Sequence, residues 1–144
     1  MVAAALLGVA VSSTPKAQAA NLTWSQTAVS TYSWTDSANW GGAGFPNAIG
    51  DVANLSGALA GAQTVNLNAI ITLGELNFGA TEPILGAPGY TLAAGTNGLL
   101  ILDDTDGAVS INKLNGSPSG DTISADIQFN DALTISNNSG LRSR

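Results

Sequence analysis

The sequence predicts an all-β chain built from short, regularly recurring strands, and three observations carry that prediction. Between Gln63 and Ser136, short segments alternate apolar and polar residues. A period of two gives a strand one buried and one wet face. Each segment is closed by Gly, Asn, Asp or Ser, the residues that make turns. The composition agrees: 17 Gly and only 10% charged residues leave few of the Glu, Lys and Arg that decorate soluble helices. Seven such segments, at about ten-residue intervals, suit a β-sandwich, a barrel or a β-solenoid.

The first element is not part of that pattern. Val2 to Val11 is an unbroken apolar run, followed by Pro15 and Ala17-Gln18-Ala19. The run is shorter than the about 20 residues that span a bilayer. The small-x-small triplet after a helix-breaking proline reads as a signal-peptide cleavage site, so residues 1–19 are expected to be a secretory signal peptide cut after Ala19. No Lys or Arg precedes the run, which points to a start further upstream.

Residues 20–51 hold all three tryptophans, Trp24, Trp34 and Trp40, with Tyr32 and Phe45. Trp24, Tyr32 and Trp34 lie in β-favouring surroundings, Asp36 to Asn39 reads as a turn, and Gly41 to Gly44 as a flexible connection. Two roles suit these rings. Large aromatics bury much area with few residues, and a repeat structure needs its ends capped. Alternatively, exposed ring faces stack on sugars, which would make Trp24, Trp34 and Trp40 a glycan platform. No set of Asp, Asn and Arg accompanies them to hold hydroxyls, and the capping role is preferred.

Residues 52–144 carry the strands. The inner row is read as Val65, Leu67, Ile71, Leu73, Leu76 and Phe78, then Tyr90, Leu92, Leu99, Ile101, Val109 and Ile111. It continues with Ile123, Ala125, Ile127, Phe129, Leu133 and Ile135, with Thr122 to Phe129 taken as one segment. The intervening Thr, Asn, Ser, Gln, Glu and Asp suit a solvated outer face. Corners are expected at 79–80, 86–89, 95–98, 103–107, 115–120 and 137–140, where Gly and Asn tolerate left-handed backbone. About three or four coils of a solenoid would result; an antiparallel β-sandwich would use the same strands.

The order Trp24, Ser33-Trp34-Thr35, Asn39-Trp40, Phe45-Pro46 and Gly50-Asp51-Val52-Ala53 resembles the opening of bacterial surface proteins with autotransporter-associated β-strand repeats. The strand pieces TVNLN, LGELNFG and GYTLAAGTNGLLIL continue the likeness, which covers about Leu22 to Gly140. Similar openings occur in exported planctomycete and verrucomicrobial proteins that end in a PEP-CTERM sorting signal. The resemblance implies a right-handed parallel β-helix displayed outside a Gram-negative cell; on that fold, residues 20–51 are read as its aromatic-rich N-terminal cap. It brings no catalytic residues. It also implies an anchor, a C-terminal barrel or sorting segment, that these 144 residues do not contain, so the chain is expected to be the N-terminal part of a longer passenger.

Chemistry finds little support. With no His and no Cys, disulfide scaffolds, Cys/His zinc sites and histidine-based nucleophilic catalysis are excluded. Asp103-Asp104-Thr105-Asp106-Gly107 suggests calcium. An EF-hand, however, would place a ligand where Leu102 stands and needs a closing Glu, and the Gly-Gly-x-Gly-x-Asp pattern of β-rolls is absent. The cluster reads as a turn. Asp121, Asp126 and Asp131 are spaced by five, which puts Asp121 and Asp131 on one side of a pleat and Asp126 on the other. Lys113, Arg142 and Arg144 are too scattered to serve a lyase. No metal, cofactor or catalytic residue is therefore expected.

The net charge of −6 lacks any basic cluster, which disfavours nucleic acid and anionic lipid as partners. The expectation is an exported, non-catalytic surface or secreted passenger acting in adhesion or surface structure, with other surface, matrix or glycan components as partners. A carbohydrate-binding module using the three tryptophans is the alternative.

Overall fold

A computed structural model describes residues 18–79, 89–114 and 120–139. The apolar run Val2 to Val11 lies outside them, and Gln18 and Ala19 are exposed. Among the described residues twelve strands follow in order: β1 (Asn21–Thr23), β2 (Thr31–Ser33), β3 (Val52–Leu55), β4 (Gln63–Asn66), β5 (Ile70–Leu73) and β6 (Glu75–Phe78), then β7 (Tyr90–Ala93), β8 (Leu99–Leu102), β9 (Ala108–Lys113), β10 (Thr122–Ile123), β11 (Asp126–Phe129) and β12 (Ala132–Asn137). A 3-10 helix, Ser37–Trp40, lies between β2 and β3.

Every strand pairing among the described residues is parallel, which removes the antiparallel sandwich. Three sheets result: β1-β3-β6-β9-β12, β10-β7-β4-β2 and β11-β8-β5. From β3 on, the chain visits the five-, four- and three-stranded sheets in turn and returns one level higher; in the first coil β2 leads to β3 through the 3-10 helix, with no strand in the three-stranded sheet. The protein is thus a three-sided parallel β-solenoid of about four turns, with successive strands about 4.8 Å apart.

Pairing register stacks like upon like. Inside, Ala53, Leu76 and Ile111 form one file, Val65, Leu92 and Ile123 a second, and Ile71, Leu100 and Ile127 a third. Each coil buries its apolar side chains largely against the coils above and below, at about 1.5–3 kcal/mol per Leu or Ile. Outside, Asn54 donates to Asn21 Oδ1 (2.7 Å), Asn77 to Asn54 Oδ1 (2.9 Å) and Asn112 to Asn77 Oδ1 (3.0 Å). Each inner amide of this ladder both gives and receives a bond, so its members polarise one another.

Two expectations about the strands are corrected. In β8 the inward residues are Leu100 and Leu102, fully buried, whereas Leu99 and Ile101 are half-buried on the outer face. The segment Leu99-Leu100-Ile101-Leu102 is apolar throughout, so alternation carries no phase; register against Ile71 and Leu73 sets it. Thr122 to Phe129 is not one strand, because the chain turns at Ser124-Ala125 from the four-stranded to the three-stranded sheet.

The corners differ in length. Residues 67–69, 94–98 and 124–125 link the four- to the three-stranded sheet, while residues 24–30, 56–62, 79–89 and 114–121 link the five- to the four-stranded sheet. The return to the five-stranded sheet can be as short as Gly74 alone. A Cβ on Gly74 would lie 2.7 Å from the Gly50 Cα and 2.5 Å from Asp104 Oδ2, because three coils crowd at this corner. Gly74→Ala is expected to cost about 1–3 kcal/mol by overpacking against backbone, read as a lowered midpoint in urea unfolding.

Candidate functional site: the aromatic cluster at the N-terminal end

The three tryptophans converge, as their shared segment suggests. Trp24 follows β1, Trp34 follows β2, and Trp40 ends the 3-10 helix. That helix starts where Asp36 Oδ1 accepts from the Ala38 N–H (3.0 Å) and stops at Gly41, whose φ of +83° a residue with a Cβ rarely adopts. The Trp34 and Trp40 rings lie 4.7 Å apart at 62°, Trp24 and Trp40 5.0 Å at 81°, and Trp24 and Tyr32 5.9 Å at 79°. These edge-to-face contacts add about 0.5–1.5 kcal/mol per pair beyond area burial.

Each indole N–H is satisfied inside the cluster. Trp24 Nε1 donates to Gln63 Oε1 (3.0 Å), Trp34 Nε1 to the Pro46 carbonyl (3.0 Å) and Trp40 Nε1 to the Trp34 carbonyl (2.7 Å). Exposure is 2%, 0% and 3% for Trp24, Trp34 and Trp40. A sugar ring needs an open aromatic face, and none of the three offers one in this arrangement. Packing of this kind is what closes the end of a solenoid.

The polar residues of the same stretch hold the plug. Asn39 Nδ2 donates to the Ser33 carbonyl (2.9 Å), and the Ser25 amide donates to the Asn39 carbonyl (2.9 Å). The buried Asp51 carboxylate accepts from the Ala20 amide through Oδ1 (2.7 Å) and from the Asn47 amide through Oδ2 (2.9 Å). Sequence reasoning missed Gln63, which is buried, receives the Trp24 N–H and donates to the Ala28 carbonyl (2.7 Å). Its signal was faint: a long polar residue at a position whose neighbours Thr64 and Asn66 face outward.

The acidic residues are occupied structurally. In the turn after β8, the Asp106 amide donates to Asp104 Oδ1 (2.8 Å), the Asp104 amide to Asp131 Oδ2 (2.6 Å), and Asn130 Nδ2 to Asp103 Oδ2 (2.8 Å). Among the described residues no three acidic side chains converge as a metal ion would require. Asp121 and Asp131 immediately precede β10 and β12 while Asp126 opens β11, so the three belong to three different sheets, which corrects the single-pleat reading. Asp126 is exposed beside Leu99 on the three-stranded sheet, while Asp121 forms an ion pair with Lys113 and accepts from the Tyr90 amide (2.8 Å).

Asp121 also bears on the Tyr90 hydroxyl, which accepts the Gly57 N–H (3.2 Å). Burial pushes this phenol from 10.0 up to about 12; the Gly57 bond acts against the rise and the Asp121 charge adds to it. The native state therefore holds a proton that the unfolded chain releases. Stability is expected to be level below pH 10 and to fall by roughly 2–3 kcal/mol as pH rises from 10 to 12. Urea unfolding of Tyr90→Phe over the same range should show a shallower slope.

At the opposite end, Phe78, Ile111, Ile123 and Ile135 and the Lys113–Asp121 pair line an opening of about 180 Å³. No helix among the described residues is long and apolar enough to cross a membrane. No protein-family model, curated protein or solved structure matches this chain.

Proposed function

We propose that this chain is a non-catalytic β-repeat passenger, exported to the cell surface or secreted by a Gram-negative bacterium, that acts in adhesion or surface structure. The observation that carries this reading is how the polar side chains are spent. The outer amides bond along the ladder, and the carboxylates of Asp51, Asp104, Asp121 and Asp131 hold backbone N–H groups. Such a surface is a stiff scaffold rather than a reaction centre. The likeness to autotransporter-associated repeats supports display. Its diagnostic residues Trp24, Trp34, Asn39, Trp40, Pro46 and Asp51 are the ones that build the closed end, a role a projecting rod requires. The sugar-binding alternative gains no support from three rings whose faces are covered.

The test is surface accessibility on intact cells carrying the gene. Antibody labelling and protease shaving should detect the protein outside, and a deletion strain should lose attachment to matrix or glycan-coated surfaces. Detection only in the cytoplasm, or turnover of a small substrate by the pure protein, would overturn the proposal. Tryptophan emission should be blue and unmoved by added glycans; a glycan-dependent shift would favour the carbohydrate-binding alternative.

A further inference from the structure

We propose that the outer face of the four-stranded sheet binds ice, through a rank of threonines that sets hydroxyl and methyl groups at the strand repeat. Pairing register builds the rank: Thr31 lies beside Thr64, Thr64 beside Thr91, and Thr91 beside Thr122. Each threonine precedes an inner-file residue, Tyr32, Val65, Leu92 or Ile123, so all four point outward. Thr31 and Thr122 are exposed, and Thr64 and Thr91 are half-buried. The rank runs through all four strands of the sheet, on the wall of the prism.

The use of polar groups separates this wall from its neighbours. On the five-stranded sheet, the Asn54, Asn77 and Asn112 amides bond along the ladder, and Glu75 accepts from Asn77 and Asn112. By contrast, none of the four threonine hydroxyls is bonded to another described residue. Charge separates the walls too. Strands β2, β4, β7 and β10 contain no Asp, Glu, Lys or Arg, whereas Glu75 lies on the five-stranded sheet and Asp126 on the three-stranded one. Asp121, next to Thr122, has a side chain only 5% exposed, spent on Lys113 and the Tyr90 amide. The flanking outer file, Ser33, Asn66 and Ala93, carries no long side chain.

These features choose the occupant. Branching at Cβ restricts χ1, so each threonine holds both its hydroxyl and its methyl in place. Parallel strands repeat that pair every ~4.8 Å, an interval close to the oxygen repeat along one axis of hexagonal ice. The hydroxyls stand in for lattice waters, and the methyls fill hollows between them. A charged partner finds nothing to pair with on this wall. A sugar surface would need an aromatic platform, but the rings of these strands, Tyr32 and Tyr90, both pack on the inner side. A neutral, rigid surface, periodic at the strand spacing, is what fits. The inference does not rest on display at a cell surface.

The test is an ice assay on the full chain. Crystals grown slowly in its solution should be faceted, the freezing point should be held below the melting point, and polycrystalline ice should take up the protein. Thr64→Lys sets a long charged side chain in the middle of the rank. It should abolish all three effects with an unchanged far-ultraviolet spectrum. Gln128→Lys makes the same change of charge on the outer face of the three-stranded sheet and should keep them. Rounded crystals and no freezing gap with a folded chain, effects that survive Thr64→Lys, or equal losses in the two variants would overturn the proposal. So would retention on crystalline cellulose or chitin without any effect on ice, by showing that the wall binds sugar.

Discussion

Trp34→Ala is expected to lower the unfolding free energy by about 3–5 kcal/mol, the largest loss of any single change in the N-terminal coil. The side chain is fully buried, so its removal opens a cavity beside Trp40, whose ring it meets at 4.7 Å. It also leaves the Pro46 carbonyl without its indole donor, a buried acceptor whose desolvation is uncompensated. Trp34→Phe separates the two causes. It keeps most of the volume and loses the hydrogen bond, and should cost about half as much. Urea titrations of the three proteins, followed by circular dichroism, measure the differences. If alanine at position 34 cost less than about 1 kcal/mol, the cluster would not be closing the solenoid.

Leu100→Ala should cost about 2–5 kcal/mol, whereas Leu99→Ala, one residue away on the same strand, should cost well under half of that. Leu100 lies between Ile71 and Ile127 in an inner file and is fully buried; Leu99 lies between Ile70 and Asp126 on the outer face. The contrast measures register directly. Equal losses would mean that a neighbouring body covers the outer face of the three-stranded sheet. A reversal would mean that β8 is slipped by one residue, which would turn every side chain of the strand to the other face.

The all-β class and most of the inner files were legible in the sequence, for physical reasons that individual strands display. Thr64-Val65-Asn66 and Tyr90-Thr91-Leu92 alternate cleanly, and the structure buries Val65, Tyr90 and Leu92. Where alternation vanished, as in β8, or where no glycine marked the bend, as at Ser124-Ala125, local pattern could not supply what long-range pairing decides. Parallel pairing itself is a relation between residues far apart in the chain, such as Ile70 and Leu99. In the cluster, the aromatic residues announced themselves by size and grouping. Gln63 did not, because its role depends on an indole N–H brought beside it from Trp24.

The unequal corners have a consequence for how the molecule tolerates change. The two long connections that are described throughout, 24–30 and 56–62, both leave the five-stranded sheet and enter the four-stranded one, so they share a single edge of the prism. Lengthening either of them adds a cost that grows only with the logarithm of loop length and leaves the inner files in register. Sequence drift, or a grafted epitope, would thus collect in one vertical rank with strand-to-strand spacing. From β4 on, the corners at the other two edges are shorter, from Gly74 alone to five residues at 94–98 and 103–107. The edge between the five- and four-stranded sheets is thus the one with most room to diversify.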